Sequence, residues 1–208
     1  MKNPWLRIPL EDYEGHMAMP AIGQATMLAD QFDKLLRSYA PKSVAVIGCA
    51  GGNGFEKAVE ALVSRVVGID INPNYIADAK ERYAPQIDGL QLYCANIEEA
   101  LPDIDPVEMV YAALVFEYVH VPRALGNLRR LCSPNGILAV LLQLPKEETE
   151  AISPSPFESL RALNSIMQLV PPERLCIAAG ALGFCLLSKD LIVIESAKQF
   201  CLLVFKCP

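Results

Sequence analysis

Short apolar runs alternate with amphipathic stretches through the middle of the chain. Residues 43–48 (SVAVIG), 66–70 (VVGID), 90–96 (LQLYCAN), 107–115 (VEMVYAALV) and 137–144 (ILAVLLQL) predict five buried strands. Between them, residues 55–63 (FEKAVEALV) put Phe55, Val59, Leu62 and Val63 on one helical face. Residues 73–83 (PNYIADAKERY) start with Pro, as helices often do, and space Ile76, Ala79 and Tyr83 helically. Residues 122–132 (PRALGNLRRLC) start the same way and turn Leu125, Leu128, Leu131 and Cys132 inward, before a turn at 133–136 (SPNG). Continuously apolar strands separated by helices predict a parallel sheet covered on both faces.

The pattern then changes. After the turn-rich stretch 153–157 (SPSPF), helical stretches near 157–169 and 171–182 lead to two apolar runs, 184–196 and 198–207, with almost no connection. Strands that close in sequence must pair antiparallel, because a parallel crossover needs about a dozen residues or more. The expected sheet has seven strands, mostly parallel, with the seventh reversed. Residues 21–40 (AIGQATMLADQFDKLLRSYA) predict one further helix, preceded by an irregular segment. The expected organisation is an N-terminal cap over 1–40 and a main domain over 41–208.

Composition narrows the classes. A chain of 208 residues, 52% hydrophobic and 20% charged, can bury a good core and is not expected to be disordered. No apolar run reaches the roughly 18 residues of a membrane span, and the N-terminus (MKNPWLRIPLEDYEGHM) lacks a signal-peptide pattern, so the expected location is cytoplasmic, away from membranes. The net charge is −6 and the basic residues are scattered, so no nucleic-acid partner is expected. Seven cysteines form no CxxC pair; Cys49, Cys94, Cys132, Cys185 and Cys201 sit in apolar stretches and are expected to act as small buried hydrophobes. With two histidines, His16 and His120, no metal site is expected.

The candidate chemistry starts at residues 43–56 (SVAVIGCAGGNGFE), where a buried strand runs into a glycine-rich loop. A dinucleotide fingerprint fails in both registers: Gly48, Ala50 and Asn53 occupy one, Gly52, Gly54 and Lys57 the other. The phosphate-cradling Gly-Lys-Ser/Thr sequence is also absent. What remains is either a tight turn or a loop that a non-phosphorylated ligand approaches. Asp70 ends the second strand 18 residues after Gly52, where a carboxylate can accept both hydroxyls of a ribose. It, or Asn72, can equally cap the helix that follows.

VAVIGCAGGNG followed by VVGID resembles motif I and the acidic strand end of the class I S-adenosylmethionine-dependent methyltransferases. YCANIEEALP, EMVYAALVFEYV and NLRRLCSPNGILAV continue the likeness through the third to fifth strands, and a reversed seventh strand is also that family's pattern. The resemblance covers 41–208 and implies a Rossmann-like α/β fold: a seven-stranded, mostly parallel sheet with an antiparallel seventh strand and helices on both faces. It implies S-adenosylmethionine as cofactor and S-adenosylhomocysteine as product. By it, Gly48, Ala50 and Gly52 pass under the methionine part, Asp70 holds the ribose and Ile71 packs on the adenine. Asn96 bonds the adenine amino group or is a plain turn residue, Ile97 lies beside the ring, and Ala112 lies near the sulfonium. Two positions depart from the pattern: Val46 replaces an acidic residue, and Ala50 replaces a glycine, which is unstrained only at negative φ.

In the family's look-alikes, N-terminal extensions fold over the site, which makes Tyr13 and His16 candidates for catalysis, with Tyr118 and Glu117 after the fourth strand. His120 has a substrate-site reading and a plainer one, at the approach to a helix. No Asn-Pro-Pro-Tyr-like sequence follows the fourth strand, so a small-molecule methyl acceptor is expected, and a homodimer stays open. The rival from another class is a catalytically silent cofactor-binding or scaffold protein of the same fold. A nicotinamide-dependent oxidoreductase is disfavoured by the glycine spacing.

Overall fold

The structure, a computed structural model, describes residues 3–20, 22–145, 155–195 and 198–208. The expected turn at 153–157 and the end of the run 184–196 fall partly outside them.

A 3₁₀ turn at Pro4–Arg7 opens the chain, its first amide capped by the Asn3 side chain. Helix α1 (Leu10–Ala18) follows, with Glu11 and Asp12 in its first turn, where the helix dipole favours acids. This corrects the irregular segment expected ahead of residue 21. Leu10, Tyr13 and Met17 recur at i, i+3 and i+7, a short helical stripe that packs inward. Helix α2 (Gln24–Tyr39) is the long helix expected nearby.

The sheet then builds as β1 (Ser43–Ile47), β2 (Arg65–Asp70), β3 (Leu90–Cys94), β4 (Val107–Ala113), β5 (Cys132–Gln143), β6 (Cys185–Val193) and β7 (Gln199–Lys206). Its order is β3-β2-β1-β4-β5-β7-β6; β7 runs antiparallel to both β5 and β6, and the pairs from β3 to β5 are parallel. Helices α3 (Phe55–Glu60), α4 (Pro73–Tyr83), α5 (Val121–Leu131) and α6 (Pro172–Ala181) cross between strands. Strand alternation divides the core in two: Val44 and Val46 face α2 and α3, while Ala45 and Ile47 face the layer of α5 and α6.

Three local expectations change. Helix α3 stops at Glu60 instead of running to 63. Leu62 takes the left-handed conformation (φ 56°) just past the helix end, and the amides of Leu62 and Val63 bond back to Val59 and Ala58. Leu62 is thereby 87% exposed, and only Val63 returns to the core. The stretch expected helical near 157–169 is a 3₁₀ segment, Glu158–Ser165. Among the cysteines, Cys49 and Cys201 are buried as expected, but Cys94 and Cys185 are exposed. Cys132 and Cys207 form a disulfide tying the start of β5 to the end of β7, with Cα atoms 6.5 Å apart. No helix among the described residues is long and apolar enough to cross a membrane.

Candidate functional site

Strand order reverses between β1 and β4, and a cleft opens beyond their carboxyl ends. The glycine loop is held there by β2: the amides of Gly48 and Cys49 both donate to the Ile69 carbonyl, at 2.8 and 3.2 Å. Asp70 completes the anchor. One carboxylate oxygen accepts the Ala50 amide and the other accepts the Asn72 amide, each at 2.9 Å. Burial raises the Asp70 carboxyl above the ordinary range, and these backbone donors oppose it. A carboxylate offers about four lone-pair positions, so these bonds leave Asp70, which lines the cleft, with spare acceptor capacity. The cap of α4 is Asn72, whose Oδ1 accepts the Asn74 amide; Asp70 is not used for it.

Gly48, Ala50, Asp70, Ile71, Asn96 and Ile97 all line the cleft. Two other expected residues do not. Gly52 lies against the rings of Tyr83 and Phe55, where a side chain would collide. Ala112 is fully buried in the sheet, and its neighbours Ala113 and Leu114 reach the cleft instead. Asn96 also makes a turn, accepting the Glu98 amide at 3.0 Å while its amide group donates to Glu99. Ala50 stands at φ 46°, in the left-handed region and not at the negative φ that an unstrained alanine needs there.

The N-terminal segment supplies the cleft's outer wall. Trp5 meets Tyr13 and Tyr118 edge-on, with ring centroids 5.6 and 5.1 Å apart, and Tyr13 stacks toward Tyr75 at 6.3 Å. The Trp5 carbonyl accepts from the Asn72 side chain at 2.9 Å. Helix α1 is pinned by two further links: Arg82 donates to both oxygens of Glu14, and the Ser159 hydroxyl donates to Asp12 at 2.6 Å. Burial, then the Asp70 charge, pushes the phenols of Tyr13 and Tyr75 up; burial and Glu117 do the same for Tyr118. All three stay protonated at neutral pH and can donate a hydrogen bond, but they are unsuited to act as bases. Tyr75 lines the cleft, and its hydroxyl is buried and finds no partner among the described residues.

A second, smaller cavity adjoins the first. Trp5, Tyr13, Leu114 and Tyr118 form walls of both. Leu114 follows β4 at φ 56°, a conformation rare for a leucine, and such strain concentrates at functional sites. His16 lines only the second cavity; it is 7% exposed and its Nδ1 has no partner among the described residues. Burial, then the charge of Lys198, lowers its pKa, which favours a neutral imidazole. Glu117 is buried, with one carboxylate oxygen that has no partner among the described residues and the other accepting the backbone amide of Gln143 at 2.7 Å. Burial raises its carboxyl to about 7. His120 is the cap residue of α5 and lines a separate hollow. Sequence reasoning missed Trp5, Tyr75, Leu114, Gln143 and Lys198; of these only Leu114 lies within a quoted motif, and Trp5 is the chain's one tryptophan.

The sheet order, the glycine loop and the buried acid at the end of β2 together define an open α/β cofactor-binding fold. Residues 45–140 match a family model described as a methyltransferase domain. The chain is 36% identical over 110 residues to trans-aconitate 2-methyltransferase of Rhodopseudomonas palustris (strain BisB5), which covers 51% of this chain and 40% of that protein. It is 27% identical over 142 residues to malonyl-[acyl-carrier protein] O-methyltransferase of Pectobacterium atrosepticum, covering 62% of this chain and 54% of that one. The chain thus spans about half the length of these curated relatives. Among solved structures, N-methyltransferase NodS from Bradyrhizobium japonicum WM9 in complex with S-adenosyl-L-homocysteine superposes with a TM-score of 0.68 at 18% identity, over 96% of this chain and 98% of that one. The match to a methyltransferase domain thus covers a little under half of the chain, and the fold over nearly its whole length is shared with a methyltransferase solved with S-adenosyl-L-homocysteine.

Proposed function

We propose that this protein transfers a methyl group from S-adenosylmethionine to a small-molecule acceptor by in-line displacement. The observation that carries this reading is the cleft at the strand-order switch. There Asp70, a buried carboxylate with spare acceptor capacity, and Tyr75, whose hydroxyl has no partner among the described residues, line the same space. Those groups suit the cofactor: Asp70 would take the ribose hydroxyls, Ile71 and Ile97 supply apolar surface for a base, and Gly48 and Ala50 bring backbone close to the methionine part. Bound there, S-adenosylmethionine supplies a methyl group on a sulfonium, an excellent leaving group. The protein's own work is then to align the acceptor and exclude water. The small-molecule acceptor is supported by the relatives named for trans-aconitate and a carrier-bound malonyl group.

In this reading residues 1–40 are a cap. The cleft holds a void of only about 90 Å³, well below the roughly 300–1,000 Å³ typical of sites for ligands of this size. Its outer wall is Trp5 and Tyr13, which belong to the N-terminal segment and not to the sheet. Cofactor entry therefore requires that segment to lift, and closure over the cofactor excludes water. Tyr13 and Tyr118 act as hydrogen-bond donors at the junction of the two cavities, and His16, whose Nδ1 has no partner among the described residues, is the imidazole candidate for moving a proton.

A second reading draws support from Ala50, strained at φ 46°, and from Val46, which carries no charge. In it the chain binds the cofactor, or serves as a scaffold, without turnover. Calorimetry with S-adenosylmethionine and S-adenosylhomocysteine, followed by transfer of isotopically labelled methyl to candidate acceptors, separates the two. Binding with transfer supports the enzyme, binding without transfer to any acceptor supports the silent protein, and absence of binding refutes the site itself.

A further inference from the structure

Resting on the methyltransferase reading above, we propose that the second cavity is the acceptor's pocket and that the acceptor is a neutral hydroxyl compound, its O–H donating to His16 and its oxygen accepting from Gln24. Position is the first ground. This cavity shares Tyr13, Leu114 and Tyr118 with the cofactor cleft, so a molecule held in it abuts that cleft across three side chains. Both polar groups come from the N-terminal segment, His16 from α1 and Gln24 from the first position of α2. The cap that closes over the cofactor therefore also completes this pocket.

Polar demand is the second ground. His16 is 7% exposed and Gln24 5%, and both line the cavity. His16 Nδ1 has no partner among the described residues, and the Gln24 carboxamide makes no hydrogen bond to any of them. Buried side-chain polar atoms in folded proteins are nearly always paired, so two such groups in one hollow point to a ligand that pairs them. Lys198 and Gln143 line the cavity too and already have interactions of their own. Met17, Leu160, Leu163 and Met167 supply an apolar surface suited to a hydrocarbon body.

The two groups together select the ligand. Burial, then the charge of Lys198, lowers the His16 pKa, and the neutral imidazole offers one donor and one acceptor nitrogen. A carboxamide likewise both donates and accepts. A hydroxyl gives one hydrogen bond and accepts another, so it pairs both groups without bringing a charge into a buried site. A carboxylate only accepts, an ammonium only donates, and burying either charge is costly. A carboxylate also attacks without giving up a proton, which would leave the imidazole idle. In the transfer the hydroxyl oxygen bonds to the methyl carbon, and the carbon–sulfur bond breaks with its electron pair going to sulfur. The hydroxyl proton passes to His16 and from there to water.

The chain's two histidines make the test direct. Labelled with ¹⁵N and saturated with S-adenosylhomocysteine, the protein is titrated with propan-1-ol, cyclohexanol, benzyl alcohol and phenol. Parallel titrations use their methyl ethers and the acids propionate, cyclohexanecarboxylate and benzoate. The imidazole signals are assigned with His120→Gln, a substitution at an exposed position. The expected result is a saturable shift of the His16 signal by at least one hydroxyl compound, at tenfold or more lower concentration than its ether or the matching acid, with His120 unmoved. Gln24→Leu should remove that preference while S-adenosylhomocysteine affinity stays within about threefold. Given S-adenosylmethionine with a labelled methyl group, the unaltered protein should methylate that compound at oxygen, and His16→Asn should lower kcat by roughly tenfold or more. Ethers or acids acting as well as hydroxyl compounds, no hydroxyl compound moving His16, a preference that survives Gln24→Leu, or an unchanged kcat in His16→Asn would each overturn the proposal. The hydroxyl–ether comparison in the unaltered protein decides by itself if Gln24→Leu does not fold. Calorimetry on the same samples keeps the two readings apart. Absence of S-adenosylhomocysteine binding, or binding of both ligands without transfer, overturns the methyltransferase reading and this inference with it, whereas retained binding with a His16 blind to hydroxyls counts against this inference alone.

Discussion

Replacing Asp70 by alanine removes the acceptor for two backbone amides, those of Ala50 and Asn72, each bonded at 2.9 Å. A buried donor left without its acceptor costs about 1–3 kcal/mol, so the pair represents about 2–6 kcal/mol. Two effects hold the loss near the lower end. Asp70 borders the cleft, so water can reach the vacated space, and the desolvation that raises its carboxyl is relieved when the charge is gone. A loss of about 2–3 kcal/mol lowers the Tm of a domain this size by roughly 4–12 °C. Cofactor affinity should fall further. Two ribose hydroxyls donating to a charged acceptor contribute about 1.5–3 kcal/mol each, which corresponds to a roughly 10²–10⁴-fold weaker Kd. The assay is isothermal titration with S-adenosylhomocysteine, well below the variant's Tm, with circular dichroism to show that it is folded. Asp70→Asn, which keeps one acceptor oxygen, should fall between. A folded Asp70→Ala protein that binds within threefold of the parent would refute the assignment of the ribose to Asp70.

Three other outcomes follow from the same geometry. Glu117 has its carboxyl raised to about 7 against an ordinary 4.5, so the folded protein holds a proton there that the unfolded chain releases. The contribution of this group to stability is present below about 4.5 and is lost as pH rises toward 7, by about 3 kcal/mol. Urea unfolding at pH 5, 6, 7 and 8 should show Glu117→Gln losing less stability than the parent over that interval; parallel curves would contradict this. The Cys132–Cys207 disulfide closes 75 residues of chain, so Cys207→Ala should cost about 2–4 kcal/mol under oxidising conditions. Dithiothreitol should lower the Tm of the parent and leave that of the variant unchanged. The Glu14–Arg82 pair is part-exposed, so Glu14→Gln should change stability by less than about 1 kcal/mol. It should nonetheless speed S-adenosylhomocysteine release in stopped-flow measurements, because it loosens the cap; an unchanged release rate would argue against a moving cap.

Much of the fold was legible because strands and helices impose local periods. The buried runs at 43–48 and 66–70 needed no partner to be recognised, and a hairpin follows from the lack of room between residues 196 and 198. The glycine loop and Asp70 were legible because the chain must turn sharply and place an acid at a strand end, and both are visible in consecutive residues. The α1 stripe of Leu10, Tyr13 and Met17 was also present in the sequence, though too short to stand out. By contrast, no local pattern tells Leu62 to leave the core or Leu114 to adopt a positive φ, because neighbouring strands and turns force those conformations. Nor could spacing pair Cys132 with Cys207, since the antiparallel register of β5 and β7 brings them together. The sequence by itself determined the layered α/β class and the cofactor loop. Only the tertiary structure decided that Trp5, Tyr13, Tyr75 and Tyr118 wall one cleft and that His16 and Lys198 both line the next. Those contacts join distant stretches, and their energy exists only once the sheet has closed the long loops between them.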